Sequence, residues 1–213
     1  FFPRDGEPQL LADGISPDGV FVMTENTIFF ADAEENALHA WPESETQAAP
    51  AGEVRLLDAG DGFIYYEKEN GVWRNDSTMT AEAFLFPTAS GSVREEDGYL
   101  YTIAFAGDTA VIERYDTAGD LLATFPLPGM TDNFIVSGGR LYIPFPSLQR
   151  VEVRSCDTGE LLETTALPEG SGYCLMLCAN DDAFYFETVL EGGFTVCRGA
   201  GGTAEALGPE LLF

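Results

Sequence analysis

Val111 to Pro128 reads VIERYDTAGDLLATFPLP, and Val151 to Pro168 reads VEVRSCDTGELLETTALP. Laid over one another at an offset of 40, the two stretches share Arg114, Gly119, Leu121, Leu122, Thr124, Leu127 and Pro128 with their counterparts. Each has an alternating segment, a turn-forming cluster and a second alternating segment. The clusters are Asp116-Thr117-Ala118-Gly119 and Asp157-Thr158-Gly159. Alternation with Gly and Asp between the halves describes two antiparallel strands joined by a hairpin.

The same unit extends along the chain. Five aromatic-rich segments are centred on Ile28, Ile64, Leu100, Leu141 and Phe184, stepping by 36, 36, 41 and 43 residues. Four of them follow Asp61-Gly62, Asp97-Gly98, Gly138-Gly139 and Asp181-Asp182. Gly and Asp tolerate positive φ, so each pair suits a tight hairpin turn. After the aromatic segments, Arg74, Arg114, Arg154 and Arg198 recur at steps of 40, 40 and 44, with Trp41 near that place in the first repeat.

These markers divide the chain into repeats at about 13–48, 49–87, 88–127, 128–168 and 169–210. Each repeat reads as four short strands. In the third they run over about 91–96, 99–105, 110–116 and 120–126. No helical period is sustained, and Thr80 to Phe86 suits either one helical turn or a strand. A four-stranded sheet of ~40–45 residues is the unit of a β-propeller, in which blades bury both faces only by packing against neighbours. The expected fold is all-β, a β-propeller of about five four-stranded blades in one domain, complete or part of a larger ring. Glu7 to Ala12 resembles Glu160 to Thr164 and reads as a fourth-strand segment that closes the ring or belongs to a preceding blade.

The 213 residues carry 36 acidic and 10 basic side chains, a formal charge of −26, with Lys68 the only lysine. Nucleic-acid binding requires clustered Lys and Arg to displace counterions, so nucleic acid is not an expected partner. No run approaches the ~18 apolar residues of a membrane span, so no membrane insertion by this segment is expected. A field of this sign attracts cations or basic peptides and favours solubility. The chain begins at Phe1, which reads as a processed product or a domain of something longer.

Candidate chemistry is sparse. Cys156, Cys174, Cys178 and Cys197 include no Cys-x-x-Cys pair. On a regular strand Cys174 and Cys178 share a face roughly 13 Å apart, too far for a mutual disulfide. Buried thiols are expected, with one disulfide in this group left open. Asp32, Glu34, Asn36 and Glu43 follow a calcium-loop spacing, but Ala37 stands where that loop needs Gly, so a solvated turn is expected and no metal. His39 is the only histidine and lies near Trp41, with no nucleophile motif to complete a triad. The repeated arginines are expected to pair with the acidic turns at Asp76, Asp116 and Asp157. Paired carboxylates at a channel mouth are the requirement for a propeller glycoside hydrolase, but no motif selects a pair.

The pattern from Asp61 to Tyr66, with Arg114-x-Asp116-x-x-Gly119-x-Leu121-Leu122, resembles bacterial extracytoplasmic β-propellers of the quinoprotein-like and related families. The resemblance implies an exported or surface-anchored setting. The recurring Ala-x-Asp-x-x-Thr-Gly and Trp pattern that supports a quinone is largely absent, so no cofactor is expected. The expected role is a non-catalytic binding module for a protein, small molecule or carbohydrate. One version is a propeller attached to a transporter's solute-binding protein. The alternative class is the glycoside hydrolase. In propellers, ligands meet the loops between strands two and three and between successive blades. Those loops place the candidate ligand-binding residues at Asp32, Glu34, Glu67, Asp108, Asp132 and Glu191, with Glu69 and Glu169 beside them.

Overall fold

The computed structural model describes residues 21–23, 28–32, 37–41, 55–69, 71–76, 79–87, 92–180, 182–190 and 193–207. The first sheet has β1 (Phe21–Met23), β2 (Ile28–Asp32) and β3 (Ala37–Trp41). The second has β4 (Arg55–Gly60), β5 (Phe63–Lys68), β6 (Gly71–Asp76) and β7 (Ala83–Pro87). The third has β8 (Val93–Glu96), β9 (Tyr99–Ala106), β10 (Thr109–Asp116) and β11 (Leu121–Pro126). The fourth has β12 (Ile135–Ser137), β13 (Arg140–Phe145), β14 (Arg150–Ser155) and β15 (Leu161–Ala166). The fifth has β16 (Cys174–Ala179), β17 (Phe184–Leu190), β18 (Gly193–Ala200) and β19 (Thr203–Ala206). Strands follow one another across each sheet in chain order, as consecutive hairpins require.

Four of the five expected units are therefore four-stranded sheets. The first shows three strands among the described residues, and Glu7 to Ala12 lies outside them. Thr80 to Phe86 resolves into β7, where Leu85 and Phe86 are buried. The turns form as their residues dictate. Asp61-Gly62, Asp97-Gly98 and Gly138-Gly139 all have positive φ at both positions, the geometry that matches the twist of a two-residue hairpin.

The chain divides into two compact units, residues 1–98 with 117–120, and residues 99–116 with 121–213. In the first unit Val22, Phe29, Ile64 and Tyr66 form the core, with Trp73 and Met79 packed against it. The second unit has two apolar layers. Tyr101, Ile103 and Ile112 meet Leu141, Ile143 and Phe145 in one. Tyr142, Val151 and Val153 meet Met176, Phe184 and Phe186 in the other. Neighbouring residues of β13 thus enter opposite layers, which is why Leu141 to Phe145 are all buried. A strand buried on both faces reads as a continuous apolar run.

The four cysteines are unbridged in the structure, and β16 corrects their expected placement. A bulge between Met176 and Cys178 interrupts the alternation, so Cys174 is buried while Cys178 is exposed. One extra residue in a strand reverses the face of all that follow.

Candidate functional site

The turns β9–β10, β13–β14 and β17–β18 emerge at the same end of the second unit as the connections β11–β12 and β15–β16. Backbone bonds fix them together. Leu127 N donates to Ala110 O at 3.1 Å, and Leu167 N donates to Gln149 O at 3.0 Å. Gln149 Nε2 donates to Ser171 O at 2.7 Å, and Thr188 Oγ1 to Tyr173 O at 2.5 Å. Asn133 spans to the next sheet, donating from Nδ2 to Cys174 O at 2.9 Å and accepting from Met176 N at 3.0 Å. These bonds tie the described residues of this end to one another.

Large apolar side chains lie at this end beside the expected acids. Phe105, Met130, Leu148, Tyr173, Val189 and Phe194 are all exposed there, Phe194 by 74%. Val189 and Phe194 face one another across the β17–β18 hairpin. Six of the exposed large apolar residues thus lie at this end. Met130 and Leu148 lie in connections, in Pro128-Gly129-Met130 and Pro146-Ser147-Leu148, and that was the signal available in the sequence.

The expected acids are distributed more widely. Asp108 sits exposed in the two-residue β9–β10 turn, and Asp132 and Glu169 are exposed in the two connections, all at the apolar end of the second unit. Asn133 Nδ2 donates to Asp132 Oδ1 at 3.2 Å. Glu67 lies in the first unit, on β5, and pairs with Arg55. Asp32 ends β2, while Glu34 and Glu191 lie outside the described residues. Glu69 is exposed with φ 54°.

The recurrent arginines are structural, and Arg114 meets one of the expected acidic turns, Asp157. Arg114 lies over the Tyr99 ring at 5.0 Å and donates to Cys156 O at 3.1 Å and Asp157 Oδ1 at 3.2 Å. In the first unit Arg74 lies over Phe63 at 4.5 Å and donates to the Thr117 carbonyl, not to Asp76 or Asp116. Arg198 meets Glu205 at 3.7 Å. Arg154 behaves differently. It binds Glu152 at 2.7 Å, and Arg150 binds the other oxygen of the same carboxylate at 2.5 Å. The Glu152 side chain is only 1% exposed, so two guanidiniums compensate one buried charge. Nothing in the repeat pattern marked Glu152.

A pair of partly buried carboxylates lies in the first unit. Asp58 accepts from Glu95 N at 2.8 Å and Ala59 N at 2.9 Å, and Glu95 accepts from Gly98 N at 2.8 Å. Burial holds both carboxyls above their ordinary range, and for Glu95 the charges of Asp58, Asp61 and Glu96 add to it. Both groups accept from backbone amides. Lys68 is also buried, 3.4 Å from Glu82 and 4.6 Å from the Trp73 ring, and Tyr66 donates to Glu82 at 2.6 Å. Among the described residues no group of His, Cys, Asp and Glu could hold a metal ion, and no helix is long and apolar enough to cross a membrane.

No family model and no curated protein matches the chain. Solved structures do. The chain is similar to one in the crystal structure of a nidogen/laminin complex, with TM-score 0.58, 15% identity, and 84% of this chain and 73% of that one covered. It is similar to BamB from Moraxella catarrhalis, with TM-score 0.53, 12% identity, and 84% and 57% covered. It is also similar to the N-terminal domain of Nup159, with TM-score 0.58, 10% identity, and 87% and 59% covered. All three are β-propellers. The chain folds as a multi-blade β-propeller. Its sheets are the blades, and it spans less than two thirds of the BamB and Nup159 chains. These identities carry the fold alone.

Proposed function

We propose that the chain is a non-catalytic binding module that takes a protein partner at the loop end of its last three blades. The observation behind this reading is the exposure of Phe105, Met130, Leu148, Tyr173, Val189 and Phe194 at that one end. Aromatic side chains lose little rotamer freedom on contact, and aromatic and Met side chains are enriched at protein interfaces. Asp108, Asp132 and Glu169 supply a polar acidic rim around them. The setting is an exported or surface-anchored bacterial protein, as the sequence resemblance implies.

The test is site-specific crosslinking. A photoreactive residue placed at Phe194 or Tyr173 gives a discrete crosslinked partner in the native host, competed away by unlabelled protein. The same residue at Leu162, an exposed position on an outer strand, gives none. Equal crosslinking from both positions would remove the reading.

A further inference from the structure

Two arginines reach from their own sheet to a turn further along the chain. Arg74 stands opposite Tyr65 and reaches the Thr117 carbonyl in the first unit. Arg114 stands opposite Tyr101 and reaches the Cys156 carbonyl in the second. Each guanidinium lies over the aromatic residue that opens the blade's second strand, and each donates to the turn before the following blade's fourth strand. The fourth blade breaks the series. There Val153 stands opposite Tyr142, and Arg140 takes the place of the ring. Among the described residues no fourth-blade guanidinium donates to the corresponding fifth-blade turn at Gly201-Gly202.

A cavity lies at that place. Tyr142, Val153, Glu163, Asp182 and Gly201 line about 30 Å³ of it beside Arg140. A second cavity of about 230 Å³ shares Arg140 and Tyr142 and adds Ser137 and Asn180. Glu163 uses Oε1 to accept from Gly202 N at 2.7 Å and from Thr165 Oγ1 at 3.3 Å. Its Oε2 and the exposed Asp182 carboxylate have no partner among the described residues. Glu163, Asp182 and Arg140 thus line the cavity together. The rings of Tyr142 and Phe184, with centroids 5.4 Å apart, close the inner side.

We propose that this cavity is a socket for the guanidinium of an arginine side chain on a partner protein. The incoming group takes the part that Arg114 plays at the preceding junction, bonding to carboxylates and turn carbonyls beside aromatic rings. A planar fork with five donors suits that set, and a compact ammonium does not. The socket opens at the end of the blades opposite the apolar loops, so it stands or falls independently of the function proposed above.

The test is an NMR titration of the whole chain with the peptides acetyl-Gly-Arg-Gly-amide and acetyl-Gly-Lys-Gly-amide. The arginine peptide shifts the Gly199, Gly201 and Gly202 amides saturably, and the lysine peptide is several-fold weaker. Glu163→Gln weakens the arginine peptide about tenfold, the scale of one charged hydrogen bond. Val153→Arg supplies the guanidinium from within and abolishes the response. Should that variant fail to fold, Asp182→Asn is read together with Glu163→Gln, and unchanged affinity in both overturns the proposal. Equal response to the two peptides overturns it, as does a response to free L-arginine but not to the peptide. A response to acetate centred on Arg140 would make this an anion site and overturn it as well.

Discussion

Arg154 stands directly opposite Leu141 on β13, one residue out of step with Arg114, which stands opposite Tyr101 on β9. The bulge registers show the same slip, falling after Arg114 in the third blade and after Val153 in the fourth. Arg154 therefore occupies the place of Tyr115, and Glu152 that of Glu113. The pairs correspond, since Tyr115 donates to Glu113 at 2.7 Å and Arg154 donates to Glu152 at 2.7 Å. A slip of one residue sends a side chain to the other face of its blade.

The two arginines should respond differently to removal. Arg154→Met leaves the buried Glu152 carboxylate with one guanidinium and costs about 3 kcal/mol, the scale of breaking a buried pair. Arg114→Met removes bonds to a carbonyl and an exposed carboxylate and costs about 1–2 kcal/mol. Adding Glu152→Gln to Arg154→Met recovers part of the first loss. Urea unfolding midpoints at constant slope check all three.

The repeat, the turn pairs and the strand order were legible because they rest on local chemistry. Asp-Gly and Gly-Gly mark hairpins wherever they fall, and alternating aromatics mark strands. The face assignments were not. The segment between Tyr115 and Leu121 is one residue shorter than that between Arg154 and Leu161, so four arginines that align in sequence divide between two faces. The apolar residues of the loop end were missed for a related reason. Acids such as Asp108 fall in turns and draw attention, while Met130 and Leu148 look like core until their turns are seen to be outside.

The pair Asp58 and Glu95 makes stability depend on pH. Both carboxyls are raised in the folded state, so the fold binds more protons than the unfolded chain in the window above the ordinary carboxylate values. Their contribution is complete below that window and is lost as pH rises through the folded values. Glu95→Gln keeps the oxygen that accepts from Gly98 and removes the charge. At pH 7 it should stabilise by roughly 0.5 kcal/mol, a partly screened effect. The gain should vanish when thermal unfolding is repeated near pH 4.

Thiol reactivity should separate the cysteines. Burial pushes the Cys174 thiol up to about 12, with the Cys197 charge adding to it, and burial also raises Cys197. Cys156 is buried as well, and Cys178 is exposed. Since the thiolate is the nucleophile, native protein at pH 8 should expose one fast thiol of four to an aromatic disulfide reagent. Cys178→Ser should remove that phase, and urea should release the remaining three. Two fast thiols in the native protein would contradict the bulge in β16.

Gly119 and Gly62 offer a controlled comparison of backbone strain against packing. Both have positive φ, 90° and 80°, so alanine is strained at either. Open space surrounds the Cβ position of Gly62. At Gly119 a Cβ would lie 2.7 Å from Leu85 O and 2.9 Å from Leu85 Cα. Gly62→Ala should therefore cost about 1 kcal/mol from conformation alone. Gly119→Ala adds a clash with β7 backbone, which cannot rotate aside as a side chain can. Overpacking of that kind costs a further ~1–3 kcal/mol, so the second variant should unfold at clearly lower urea. If the two midpoints coincide, the hairpin before β11 does not press against Leu85 as closely as the structure has it.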